Sequence, residues 1–173
     1  MDDDFIREYD FVKLYTEDTS VNLEDEKLDE NDTTPRFEFV ASESKLKIEL
    51  EDMATNFEIT TDETASGQKA GELIDENSYA EAIITFPAGD YVGYVCEYAS
   101  TGNNDAFYVK FGANYVRCYA SDPVPGTYEL TTRTPIELSA TETTTVKMKI
   151  LKDCPSRTGE TGMFIDYIIF EKK

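Results

Sequence analysis

The chain has 173 residues, 36 of them acidic and 16 basic, for a formal charge of −20 at pH 7 with no histidine. A field of that sign repels phosphate backbones and anionic membrane surfaces, so nucleic acid and membrane are not the expected partners. The missing histidines take away the commonest general base and the usual transition-metal ligand. Hydrophobic residues are 40% of the total, enough for one sizeable core, but no run approaches the ~20 apolar residues of a membrane span.

The first fifth of the chain is rich in acids. Up to Asp32 there are 13 acidic residues against Arg7, Lys13 and Lys27. Phe11–Tyr15 can form an edge strand there, and Leu23–Thr34 (LEDEKLDENDTT) reads as a solvated loop ending before Pro35. Residues 1–42 are therefore expected to be an acidic N-terminal extension, able to add an edge strand to a domain spanning 43–173. Met1 is followed by Asp-Asp-Asp and not by a basic, then apolar, leader. That leaves an intracellular protein or a mature segment of a longer precursor.

From Arg36 the apolar residues alternate with a period of two, the signature of half-buried strands. Phe37 and Phe39 share one face. Leu46, Ile48 and Leu50 share another, opposite Lys47, Glu49 and Glu51. Phe57 and Ile59 suggest a short strand, and Thr60–Ser78 reads as a long polar loop. Ile83–Phe86, Tyr91–Ala99 and Ala106–Phe111 follow, separated by Pro87-Ala88-Gly89 and by Ser100–Asp105, and their spacing predicts an antiparallel meander. Val116–Ala120, Thr127–Thr132, Ile136–Leu138, Thr145–Leu151 and Met163–Phe170 complete the set. Many short strands at this spacing predict an all-β sandwich of two antiparallel sheets. Cys96, Cys118 and Cys154 lack metal-site spacing; they read as small buried hydrophobes, with one disulfide possible.

The closing strand, GMFIDYIIF, is apolar on both faces, with Met163, Ile165, Tyr167 and Ile169 on one and Phe164, Ile168 and Phe170 with Asp166 on the other. Asp166 is thus a carboxylate among hydrophobes, which demands a cation, hydrogen-bond donors or a raised pKa. A metal ion and a backbone turn are both open as partners. Glu49 and Glu51, two apart on a strand, project from one face, as a wet outer surface or as hard oxygen ligands for calcium.

From Ile48 onward the chain resembles the calcium-containing jelly-roll carbohydrate-binding modules of families six and thirty-five. The elements that carry the resemblance are Glu49-Leu50-Glu51-Asp52, the small-residue turn Ala65-Ser66-Gly67, Gly89-Asp90-Tyr91, Asp105–Val109, and Ile165-Asp166-Tyr167-Ile168. The resemblance implies a galactose-binding-like jelly roll and a structural calcium ion held by Glu49, Glu51 and Asp166, helped by backbone carbonyls near Gly67–Lys69. It also implies glycan binding, either in loops at one end of the sandwich or on a sheet face.

The loops Thr61–Asn77, Ser100–Asp105 and Asp153–Gly162 are expected at one end. They offer Asn77, Asn103, Asn104, Asp105 and Arg157 as hydrogen-bonding groups, flanked by Tyr79 and Tyr98. Tyr115, Arg117 and Tyr119 form a second candidate cluster. The chain has no Trp, the ring most used as a sugar platform in such modules. The expected function is a non-catalytic polysaccharide-binding module within a larger secreted, multi-domain protein. The alternative is a structural or adhesive sandwich that mediates protein contacts. A glycosidase needs two carboxylates facing a cleft roughly 5 to 10 Å apart, and no acid here stands in a recognisable catalytic setting.

Overall fold

A computed structural model describes residues 19–99, 106–120, 127–152 and 162–173. Among these residues there are strands and two short 3-10 turns but no α-helix.

The strands make two sheets. One contains, from edge to edge, β1 (Ser20–Asn22), β12 (Ile136–Ala140), β8 (Gly89–Ala99), β14 (Met163–Lys172), β6 (Lys69–Leu73) and β5 (Ile59–Thr61), with β3 (Lys45–Glu49) also along β14 and β11 (Glu129–Leu130) along β8. The other runs β10 (Asn114–Tyr119), β9 (Ala106–Phe111), β13 (Thr144–Lys152), β7 (Tyr79–Phe86) and β2 (Arg36–Glu38), with β4 (Ala54–Thr55) along β7. Pairing is antiparallel except where β1 joins β12 and β2 joins β7. The fold is the all-β sandwich expected from the residue pattern, with the jelly-roll arrangement that the resemblance implies.

The expected meander does not exist. β7 and β9 lie in one sheet, each paired to β13, while β8 lies in the other between β12 and β14. Pro87-Ala88 therefore carries the chain across the sandwich instead of folding it into a hairpin. Tyr91 fixes that crossing: its ring is fully buried and its hydroxyl donates to the Pro87 carbonyl at 2.7 Å. It stands in an aromatic chain with Phe39 (4.9 Å between centroids) and Phe86 (5.2 Å), and Phe86 meets Phe170 edge-on at 5.2 Å. Residues from both sheets thus share one core.

Thr60–Ser78 is not one loop. Its middle forms β6, with Ala70, Gly71 and Leu73 buried. Lys-Ala-Gly-Glu-Leu lacks the β-branched and aromatic residues that mark a strand, so packing overrides propensity there. Gly71 is required: a Cβ would come within 2.4 Å of the Phe57 ring. Cys96 and Cys118 are buried free thiols, and burial pushes both up to about 12. Cys154 lies outside the described residues, as does Phe11–Tyr15.

The acidic stretch after β1 also differs from the expected solvated loop. β9 ends at Phe111 and the chain turns away at Gly112 (φ +61°), leaving the first half of β13 without a neighbour on that side. Acidic residues fill the gap. Asp25 Oδ1 accepts from Thr145 N (2.8 Å), Glu26 N donates to Thr145 O (2.9 Å), and Glu26 Oε2 accepts from Lys147 N (2.8 Å). Carboxylates thus act as surrogate ladder partners for backbone N–H groups. Val21, Leu23 and Phe39 belong to the common apolar cluster.

Asp32 closes this strap with an ion pair to Lys147 and accepts from Thr34 N and Oγ1. The Lys147 ammonium, then the Thr34 donors, hold its carboxyl well below the ordinary range. A depressed folded pKa gives stability that is present above the unfolded value of about 4 and lost as pH falls through the folded one. Asp32→Asn is expected to lower Tm at pH 7, with the gap to wild type closing below pH 4 in a melting series.

Candidate functional site: a carboxylate junction and two aromatic faces

Asp166 stands where β14 changes partner. Met163–Ile165 pair with β6, Tyr167–Glu171 pair with β3, and the register against β8 slips between Ile165 and Tyr167. The slip is a β-bulge, and it reverses the alternation of the strand. Met163, Ile165, Ile168 and Phe170 all face the core, while Phe164, Tyr167 and Ile169 face out. Strict alternation had put Tyr167 and Ile169 with Met163 and Ile165; the extra residue moves them to the opposite face.

The bulged residue is only 2% exposed. Asp166 Oδ2 accepts from the Ser66 backbone N–H at 2.9 Å, so the turn at 62–68 supplies one donor. Oδ1 is buried and has no hydrogen-bond partner. Burial pushes this carboxyl up to about 6, and the charges of Glu49 and Glu51 add to the rise, while the Ser66 N–H and Lys47 oppose it. The three acids are therefore electrostatic neighbours. An acid with a raised folded pKa destabilises the fold above about pH 6, and that penalty fades as pH falls toward 4.

Glu49 ends β3 and pairs across from Tyr167. Its Oε1 accepts from Ser66 Oγ at 2.8 Å and from Lys47 Nζ at 2.7 Å, while its Oε2 is buried without a partner. Glu51 does not share the strand, as the spacing predicted, because Leu50–Asp52 is a 3-10 turn. Its Oε2 is likewise buried without a partner, and its Oε1 lies where a Cβ on Gly67 would come within 2.6 Å. Gly67 (φ +62°) and Gln68 (φ +60°) both adopt left-handed backbone to shape this cradle.

Three orphaned carboxylate oxygens around one buried junction fit a hard cation, which takes oxygen ligands. As placed, no three acidic or thiol side chains among the described residues close into a cage. Lys47 Nζ, 2.5 Å from Ser66 Oγ, stands at the junction instead. Neither Ser66 nor Lys47 was marked by sequence spacing as belonging to the site, though Lys47 lies two residues before Glu49 on one strand face.

The aromatic candidates divide between the two outer faces. Ala99, Met163 and Leu73 are neighbours across three strands, and Tyr79, Leu151 and Tyr108 across three strands of the other sheet. The segments leaving Ala99 and Lys152 and the turn 74–78 therefore start from one end of the sandwich. Asn77 is exposed in that turn, where its carbonyl accepts from Asn56 Nδ2. Asn103, Asn104, Asp105 and Arg157 lie outside the described residues.

Tyr98 faces outward from the eight-stranded sheet. It stacks on Phe164 (4.7 Å, 16°) and meets Tyr128 edge-on (4.8 Å), and the Tyr128 hydroxyl donates to Asp62 Oδ2 at 2.8 Å. Tyr79 and Tyr115 face outward from the six-stranded sheet, so they do not converge with Tyr98. The period-two pattern puts them on opposite sides of the core. Tyr79 lies under the Lys149 ammonium (4.6 Å). Tyr115 is 61% exposed and rests edge-on against Tyr108. Arg117 and Arg133 flank the Tyr119 ring at 5.3 and 5.2 Å. Beside Tyr115 a polar cleft of about 230 Å³ is lined by Glu26, Glu81, Lys110, Gly112, Lys147 and Lys149.

Comparison with solved structures finds the same sandwich in carbohydrate-binding modules. The C-terminal family 6 module of a laminarinase from Zobellia galactanivorans superposes with a TM-score of 0.54 at 18% identity, over 74% of this chain and 99% of that one. A family 35 module from Clostridium thermocellum gives 0.56 at 16% identity, over 76% and 100%. The chain shares the jelly-roll fold of these two modules. A Podospora anserina mannanase carrying a family 35 module gives 0.59 at 12% identity, and there the chain spans only 28% of the enzyme. Catalytic-domain structures are also among the matches, such as an α-1,3-glucanase. No protein-family model matches the chain, and no curated protein does.

Gly67→Ala tests the cradle. It adds strain at positive φ and crowds Glu51, and the expected result is a Tm lower by several degrees, since strain of this kind costs on the order of 1–3 kcal/mol. An unchanged melt would remove Gly67 from the site.

Proposed function

We propose that this chain is a non-catalytic carbohydrate-binding module whose sandwich is tied together by a calcium ion at Glu49, Glu51 and Asp166. The observation behind the calcium reading is the set of three buried carboxylate oxygens that accept no hydrogen bond. When bound, the ion would neutralise the like charges that raise Asp166. The Ser66 N–H already fixes the Asp166 carboxylate, and Gly67 keeps the cradle open.

The test is a melt with and without calcium. Saturation at about a hundred times Kd contributes about 2.7 kcal/mol, or about 5–10 °C for a chain of this size. Asp166→Asn removes a buried, unpaired charge, so it should raise the Tm of the calcium-free protein at pH 7.5 and abolish the calcium-dependent gain. A mutant that still gains from calcium would exclude Asp166 as a ligand.

For the glycan, the fold supports the reading: the chain matches two such modules over nearly their whole lengths. The ligand is a neutral or weakly charged polysaccharide, since a net −20 disfavours highly anionic ones. The Tyr98–Phe164–Tyr128 group with Asp62, at the end that also bears Asn77, offers a ring and fixed acceptors; so does exposed Tyr115 beside the polar cleft. Sugar–aromatic contacts draw on buried ring area. In affinity gels with soluble polysaccharides, Tyr98→Ala or Tyr115→Ala should abolish most of the retardation, and whichever does so identifies the binding face.

The second reading, a structural or adhesive sandwich, draws on the absence of Trp and on Tyr98 having one ring face already covered by Phe164. Lack of retardation by every plant, algal or host glycan tried would favour it. We propose that the module is part of a larger, secreted protein; the partial span on a neighbouring enzyme supports the multi-domain context.

A further inference from the structure

The carboxylate junction already contains one cation, and it belongs to the chain. Lys47 and Glu49 project from the same outer face of β3, and across the ladder they sit opposite Ile169 and Tyr167 of β14. Lys47 Nζ lies 2.7 Å from Glu49 Oε1, 2.5 Å from Ser66 Oγ and 4.1 Å from the centre of the Tyr167 ring. Ser66 in turn donates its hydroxyl to Glu49 and its backbone N–H to Asp166. One ammonium thus binds the end of β3 to the turn that holds β14.

That ammonium offsets only one of the site's three negative charges. Three carboxylates face one positive charge, and the oxygens it does not reach, Glu49 Oε2, Glu51 Oε2 and Asp166 Oδ1, are the ones without partners. An ammonium offers three donors on a flexible stem and cannot coordinate as an oxygen-seeking divalent ion does. The two cations also repel each other, so both cannot occupy the junction at full strength. The Lys47 side chain is 38% exposed, which leaves its head a path to solvent.

We propose that Lys47 is the resident counter-ion of this site: its ammonium holds the junction closed without metal, and a divalent cation must displace it. This rests on the calcium reading and extends it to a residue that sets affinity. Lys47 is then a positioning residue for the free protein and a competitor for the ion, so removing its charge has opposite effects on the two forms.

The experiment is calcium titration calorimetry and melting of the full chain, as wild type, Lys47→Met, Lys47→Arg and Lys45→Met. Lys45 bears the same charge on the same strand face but pairs with Glu171, away from the junction. Lys47→Met should bind calcium roughly tenfold to a hundredfold more tightly, with a lower Tm in chelator and an equal or higher Tm in calcium. Lys47→Arg keeps the charge and should stay close to wild type. Lys45→Met should change affinity by less than about twofold, because exposed charges are screened.

Calcium binding by wild type with the same affinity in Lys47→Met overturns the proposal and leaves the calcium reading standing. Binding by Lys47→Met alone supports it strongly. No binding by either removes both. If Lys47→Met does not fold, the Lys47 ε-methylene NMR signal of the wild-type protein decides: it should shift on calcium saturation as the ammonium leaves the Tyr167 ring, and a static signal overturns the proposal.

Discussion

The bulge at Asp166 is the feature on which the rest of the structure depends. One extra residue in β14 lets a single edge of that strand serve two neighbours in turn, β6 before the slip and β3 after it. It also turns a carboxylate into the interior, where it needs compensation. Ser66 supplies one donor, and Glu49 and Glu51 crowd in with the same charge. The eight-stranded sheet is thus joined through a site that is electrostatically unsatisfied by its own protein groups. Such a junction is a poor way to add stability on its own, because crowded like charges are taken out of water without matching donors.

The strap after β1 follows the same logic with a different outcome. Asp25 and Glu26 meet free backbone groups of β13, and Asp32 meets Lys147, so these acids are matched by donors and need no further partner. Two acidic regions with similar composition therefore differ in what they ask for. One is complete within the chain; the other leaves three oxygens over.

Much of this was legible in the residue pattern. Alternation in Leu46–Leu50, Phe107–Phe111 and Val146–Ile150 marked strands that exist, and the apolar closing strand marked Asp166 as a buried acid. What the pattern could not carry was pairing. β7, β8 and β9 have the composition of a meander, but strand propensity does not say which sheet a strand joins, and the Tyr91 hydroxyl on Pro87 O is a tertiary contact. The bulge escaped for a related reason: period-two reading assumes an unbroken pleat. β6 was hidden because Lys69–Leu73 has weak local preference and is made a strand by its neighbours. Tyr79, Tyr98 and Tyr115 could be read as ring-bearing candidates, but chain order alone could not reveal that they look out in opposite directions.

The order in which this sheet is closed has a consequence for biosynthesis. β14, with β8 on one side and β6 and β3 on the other, is a central strand made from residues 163–172. Until residues 163–172 have been synthesised, β8, β3 and β6 have no shared neighbour, and the edges they turn to β14 stay open. Long-range pairings of this kind are slow to form because loop-closure entropy must be overcome first. Removing residues 163–172 would therefore leave β8, β6 and β3 with bare edges, ready to pair with strands of other chains.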